Sequence, residues 1–342
     1  MKRIDTEKIG SLKQLLKNNR KISIIPHINP DGDAIGSSLA LAQYLTKLNK
    51  SVKVIVPNDY PDYLHWIPGQ EKVVVFFKQK YTAEELLRNA DLIFYVDFND
   101  EHRCGEIAKI TSQLSVPKVL IDHHPNPGDF ASVVISDTSA CATAELVYEV
   151  IDALGDNELI DLPIAESLFA AILTDTGSFS YNSSQPRTFE IVGDLLKRGI
   201  DKDRIYSDTF DKYSGNRMKL LGYALSEKMV HLPEYRTAFI SLTKEELERY
   251  HFVPGDTEGF VNNPLAINDV VFTALFMEKD GRIKISFRSK GKFATNLFSG
   301  HHFNGGGHAN ASGGESHLTM EETLKKFEAL LPDYKEELLG SM

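Results

Sequence analysis

Short apolar runs alternate with longer amphipathic stretches through the first half of the chain. Residues 22–26 read as a strand. Residues 34–48 follow, with apolar Ile35, Leu39, Leu41, Leu45 and Leu48 at near-helical spacing, which predicts a helix. Residues 52–56 give a second strand, stopped by Pro57, Asn58 and Asp59, and 72–77 a third. Thr82, with Glu85 three residues on, predicts a helix that opens on a capping box. Residues 92–96 and 118–121 are apolar without alternation, the pattern of strands covered on both faces. This rhythm predicts an α/β domain, a doubly wound, mostly parallel sheet with helices on both sides. Helical patterning continues over 143–154, 164–173 and 186–198, the last with Pro186 at its start and Gly199 past its end.

The last third has a different rhythm. Strands are expected over 235–242, 270–277 and 282–288, with Asp280-Gly281 as a hairpin turn between the last two. Thr243 and Glu246 form a second capping-box pattern, and 321–331 is an amphipathic helix. The expected organisation is a first domain over 1–208, a polar, helix-like connection over 209–228, and a smaller α+β domain over 229–342, with a cleft between the domains.

A length of 342 residues fits two domains, and 42% hydrophobic with 25% charged residues is a globular composition. No apolar run approaches the roughly 20 residues that cross a bilayer, and the start of the chain has no apolar core after Lys2 and Arg3. A cytoplasmic location without a signal peptide or membrane contact is therefore expected. Cys104 and Cys141 stand in no CxxC pair or zinc spacing, so no disulfide is expected. The net charge of -10, with no basic stripe, argues against a protein that tracks a long nucleic acid.

The chemistry lies where apolar runs end. His27, Asp31 and Asp33 follow the first strand; Asp97 closes the run 92–96; Asp122, His123 and His124 follow 119–121; Asp175 follows 170–174. An open α/β sheet places its site at that edge. Carboxylate and imidazole together suit a hard or borderline divalent ion that activates water. Gly32 is expected to let the chain turn between Asp31 and Asp33, and the helix that begins near Gly36 and Ser37 offers amides to an anion.

These clusters resemble, in order, the motifs of the DHH phosphoesterase superfamily, with Asp122-His123-His124 as the namesake. Gly305-Gly306-Gly307-His308 resembles the signature of the associated DHHA1 domain. Together they make the chain most similar to the NrnA-type nanoRNases (oligoribonucleases), also described as phosphatases of 3′-phosphoadenosine 5′-phosphate (pAp). The resemblance implies two divalent ions, manganese preferred and magnesium the alternative. One would be held by His27, Asp31 and Asp97, the second by Asp33, Asp97, His123 and Asp175, with Asp97 bridging. His124 would point to the substrate phosphate; Asp122 joins the catalytic set or orients a histidine. The implied substrates are short single-stranded RNA and pAp rather than long duplexes, and proteins of this type are often homodimers.

In the second domain, Ser286 and Arg288 resemble the family's substrate-binding strand, with Arg288 able to fork onto a terminal phosphate. Consecutive glycines at 305–307 let main-chain N–H groups face an anion, and His308 would contact phosphate or base. His301, His302 and Phe303 are weaker candidates, with surface or core roles expected. Rival readings are a cyclic-dinucleotide phosphodiesterase, a family II pyrophosphatase, a RecJ-type exonuclease and a non-catalytic nucleotide sensor. The glycine signature argues against the pyrophosphatase, the acidic balance against the exonuclease, and the full ligand set against the sensor.

Overall fold

The computed structural model describes residues 4–279 and 281–341. They divide into two compact units, Met1–Lys212 and Tyr213–Met342. The boundary falls within the stretch 209–228, most of which is a helix, Gly215–Ser226.

The first unit is built on a parallel sheet of β1 (Lys21–Pro26), β2 (Ser51–Val56), β3 (Val74–Val75), β4 (Leu92–Val96), β5 (Lys118–Asp122) and β6 (Val133–Ser136), in the order β3-β2-β1-β4-β5-β6. Its helices are α1 (Thr6–Asn18), α2 (Gly32–Lys47), α3 (Lys80–Arg88), α4 (Ala108–Thr111), α5 (Thr143–Leu154), α6 (Leu162–Asp175), α7 (Pro186–Lys197) and α8 (Lys202–Phe210). The side-chain period of two sends alternate residues of β4 to opposite cores. Leu92, Phe94 and Val96 join the core under α2, α5 and α6. Ile93 and Tyr95 join the smaller core that includes Ala83, Leu87 and Ile110 of α3 and α4. That division is why the run lacks polar alternation.

Two local expectations differ from the structure. Within 72–77 only Val74 and Val75 pair, with Ile55 and Val56, before the chain turns on Lys78 N–H to the Val75 carbonyl (3.0 Å). The same turn starts α3 early: Ala83 N–H already donates to the Gln79 carbonyl at 2.9 Å. Thr82 therefore lies inside the helix, whose cap, Gln79, makes no side-chain capping bond.

The second unit holds β7 (Met229–Leu232), β8 (Thr237–Leu242), β9 (Phe272–Lys279), β10 (Arg282–Ser289), β11 (Gly306–His308) and β12 (Ala311–Ser316), ordered β11-β12-β10-β9-β8-β7. All pairs are antiparallel except β8 with β9. Of the expected turn between β9 and β10, Asp280 lies outside the described residues. The helices are α9 (Gly215–Ser226), α10 (Lys244–Arg249), α11 (Thr295–His302), α12 (Met320–Leu330) and α13 (Lys335–Leu339). The capping box of Thr243 and Glu246 forms at α10. Phenylalanines dominate the core on one sheet face, with Phe272, Phe276, Phe287, Phe298 and Phe327 in mutual ring contact.

Candidate metal centre

The strand order reverses between β1 and β4, and open α/β sheets bind ligands outside the carboxyl ends of the strands at such a reversal. The acidic and histidine clusters leave β1, β4 and β5 at that edge, and Asp175 closes α6 beside them.

His27 is buried and hydrogen-bonds through Nδ1 to its neighbour's carbonyl, Ile28 O, at 2.9 Å. A carbonyl only accepts, so Nδ1 carries the proton and Nε2 faces the cluster. It stands 3.5 Å from Asp97 Oδ2 and 3.8 Å from Asp31 Oδ1. Asp31 caps α2, its Oδ1 accepting from the N–H groups of Asp33 and Ala34, both at 3.1 Å. His123 repeats the device. Its Nδ1 donates to Ala140 O at 3.2 Å, and Nε2 lies 3.5 Å from Asp175 Oδ2, 3.6 Å from Asp97 Oδ1 and 3.8 Å from Asp33 Oδ2. Asp97 is common to both groups, with one oxygen toward each histidine. It holds a left-handed backbone at φ 68°, a conformation that costs a non-glycine residue on the order of 1–3 kcal/mol. Its N–H to Ile121 O (3.0 Å) and the Thr143 hydroxyl to its Oδ1 (2.9 Å) hold it there. Asp122, fully buried, accepts from His124 Nδ1 at 2.8 Å and so orients that ring; its Oδ2 has no hydrogen-bond partner among the described residues.

The electrostatics are those of a cation site. Burial and the charges of Asp97 and Asp175 push the Asp33 carboxyl well above its ordinary range. Burial raises Asp175 to about 6 against the pull of His123. Burial opposes charging of His123, but Asp175, Asp97 and Asp33 outweigh it and raise the imidazole to about 9. His27 is likewise raised, burial being outweighed by Asp31 and Asp97. Asp97 and Asp31 go the other way: burial opposes their ionisation, yet His27, His124 and His123 hold Asp97, and His27 holds Asp31, below the usual carboxylate range. The carboxylates thus favour positive charge on the two imidazoles. Donor atoms of His27, Asp31 and Asp97 lie within 4.8 Å of one another, as do those of Asp33, His123 and Asp175, and those of Asp97, Asp122 and His124. Nε2–carboxylate separations of 3.5–3.8 Å are long for hydrogen bonds. They approach the spacing of two donors on one ion at roughly 2.0–2.2 Å. With the orphaned Asp122 Oδ2, the donor set fits oxygen- and imidazole-binding divalent metal.

Comparison with known proteins agrees with this geometry. The family model for the DHH family, N-terminal domain, matches residues 21–172, and that for the DHHA1 domain matches 247–337. The crystal structure of an exopolyphosphatase-related protein from Bacteroides fragilis superposes with a TM-score of 0.95, at 43% identity and 99% coverage of both chains. The chain belongs to the DHH family. The bifunctional oligoribonuclease and PAP phosphatase NrnA of Bacillus subtilis is 26% identical over 84% of this chain and 86% of its own length. Its namesake in Thermus thermophilus is 27% identical over 97% and 95%. As a DHH protein the chain is a metal-dependent phosphoesterase. Among the described residues, no helix is long and apolar enough to cross a membrane.

Within the DHHA1 unit, Ile283, Ile285 and Phe287 of β10 point into the core, which leaves Ser286 and Arg288 on the opposite face. Arg288 Nη1 donates to the Phe287 carbonyl at 2.9 Å. Gly306, Gly307 and His308 of the glycine signature form β11, with Gly306 and Gly307 opposite Gly313 and Ser312. Its glycines have separate reasons. A Cβ on Gly305 would meet the Gly313 carbonyl, and on Gly307, at φ 140°, would sit 2.7 Å from the Ala311 carbonyl. A Cβ on Gly306 meets nothing within 4 Å, so neither packing nor a left-handed backbone demands glycine at this position. His308, half-buried, pairs across the hairpin with Ala311. Phe303 is core, His302 Nε2 hydrogen-bonds with the Tyr334 hydroxyl at 2.7 Å, and His301 is exposed.

Gly32 also has a different role from the one expected. It is the first residue of α2, and a Cβ there would collide with the Thr174 side chain, so it serves the close approach of α2 to α6. Sequence reasoning missed Thr143 altogether. Its only signal was a hydroxyl residue heading a helix on the side of the sheet where the ligands gather.

Proposed function

We propose that the chain hydrolyses short single-stranded oligoribonucleotides to mononucleotides and removes the 3′-phosphate of pAp, at a centre of two divalent ions with manganese preferred. The observation that carries the two-ion reading is Asp97: Oδ2 lies 3.5 Å from His27 Nε2, and Oδ1 lies 3.6 Å from His123 Nε2. One carboxylate shared between two imidazole-led groups is the arrangement of a bridging ligand. His27, Asp31 and Asp97 would hold one ion; Asp33, Asp97, His123 and Asp175 the other. Ions bound there supply an activated water and positive charge to offset that of the phosphate.

The protein groups do the rest. Asp33 is pre-oriented by three donors, Ser37 Oγ at 2.7 Å, Thr143 N at 2.6 Å and Ala144 N at 3.1 Å. His124, held by Asp122, would donate to a phosphate oxygen as charge grows there. In the DHHA1 unit, Arg288 would fork onto a terminal phosphate while Ser286, the 305–307 backbone and His308 meet the nucleotide. The net charge of -10 supports small substrates over long duplexes.

The test is a manganese-supplemented assay of the purified chain on a 5′-phosphorylated RNA dinucleotide, pAp, cyclic di-AMP and polyphosphate. Mononucleotides from the first and AMP from the second, both much faster than the other turnovers, are expected. Preferential cleavage of polyphosphate would move the substrate toward that named by the Bacteroides fragilis relative. Fast opening of cyclic di-AMP would move it to second-messenger degradation.

A further inference from the structure

One short turn reaches three of the proposed ligands at once. Ala140 O accepts from His123 Nδ1, the Thr143 and Ala144 N–H groups donate to Asp33, and the Thr143 hydroxyl donates to Asp97 Oδ1 at 2.9 Å. The turn is itself fixed. The fully buried Glu145 accepts through Oε2 from Cys141 N at 3.1 Å and from the Thr188 hydroxyl at 3.0 Å, tying the start of α5 to α7. Thr143 is fully buried, and its side chain and backbone serve different carboxylates.

Resting on the two-ion reading above, we propose that the turn heading α5 is the positioning element of the metal centre, with the Thr143 hydroxyl fixing the bridging carboxylate. The physical need is clear. Asp97 sits in a left-handed backbone conformation at φ 68° and must present one oxygen to each group. A donor on Oδ1 removes the carboxylate's freedom to rotate, so the geometry for two ions exists before either arrives. Outer partners of this kind typically set metal affinity by about ten- to a hundredfold.

The experiment compares Mn2+ binding isotherms, melting of the metal-free protein, and kcat and KM for wild type, T143V and T143S. Valine keeps the volume and removes the hydroxyl; serine returns it. T143V is expected to bind Mn2+ about ten- to a hundredfold more weakly. It should lose kcat at limiting metal with KM for the dinucleotide little changed, and T143S should restore both. A T143V isotherm that matches wild type overturns the proposal, as does a T143S protein as weak as T143V, which would assign the effect to packing. If T143V does not fold, Thr143→Ala is judged by the same criteria. Wild type binding fewer than two Mn2+ per chain would overturn the two-ion reading itself; a wild-type pair with an unaltered variant overturns only the role of Thr143.

Discussion

Single residues here have separable duties, which makes them testable one at a time. Asp97→Ala should abolish binding of both ions, whereas Asp31→Ala should spare one, because Asp31 belongs only to the group led by His27. Metal analysis after dialysis reads the difference, and an Asp97→Ala chain that retains two Mn2+ would sink the bridging assignment. Arg288→Ala should raise KM for a dinucleotide several-fold with metal content intact, and Arg288→Lys should not recover it, since a point charge lacks the planar fork. An unchanged KM would remove Arg288 from substrate binding. The candidate ligands were legible because each follows an apolar run that could only be a buried strand or helix, so their common edge followed from the α/β rhythm alone. Thr143 was not. Its partners are 46 and 110 residues away along the chain, and a neutral residue at a helix start carries no mark of which carboxylate it will meet.

At the scale of elements, the centre depends on how closely α2 lies against α6, because α2 carries Asp33 and α6 ends in Asp175. A Cβ on Gly36 would stand 2.6 Å from the Ser167 carbonyl and 2.8 Å from Ala171 Cβ. Gly36→Ala must therefore push the helices apart, and should cost about 1–3 kcal/mol in urea unfolding, with weaker metal binding besides. Gly193 on α7 is the internal control: nothing lies within 4 Å of its Cβ position, so Gly193→Ala should leave stability unchanged or raise it by up to roughly 1 kcal/mol. Equal destabilisation by both would refute the packing account. The same elements mark where sequence reading stops. Strands β1, β4 and β5 were legible because burial on both faces makes their interiors mostly apolar, with Ser23 the one polar residue between Ile22 and Pro26. Strands β11 and β12 were not, since Ala311-Ser312-Gly313-Gly314-Glu315-Ser316 has no strand propensity of its own. Pairing with β10 imposes the extended form. The edge strand β3 failed in the opposite sense, apolar over five residues, 73–77, but paired over two.

At the scale of the molecule, the crowded ligands make stability a joint function of pH and metal. In the metal-free chain His123 is raised from 6.5 to about 9 by its carboxylate neighbours, against burial. A group whose folded pKa is raised contributes stability that is complete below the unfolded value and is lost as pH climbs through the folded one. The His123 contribution is therefore intact below pH 6.5 and gone above about pH 9. His27 is raised too, and acts in the same direction. Asp175, raised from 3.8 to about 6, has already lost its share before that window opens, and the depressed Asp97 stays ionised throughout it. The melting temperature of the chelated protein should thus fall as pH rises from 6.5 to 9. Metal acts oppositely. It binds the deprotonated imidazoles and replaces the same protons, so its affinity climbs with pH and its binding releases them. The Mn2+-induced rise in melting temperature should then widen across the window, following RT ln(1 + [L]/Kd) for the ions bound. Differential scanning fluorimetry with and without Mn2+ measures both curves. If the chelated curve is flat or rising, protons are not the cations that hold the empty cluster together. If it falls but the metal increment stays constant, the histidines titrate without serving as ligands, and the site must be sought elsewhere on the sheet edge.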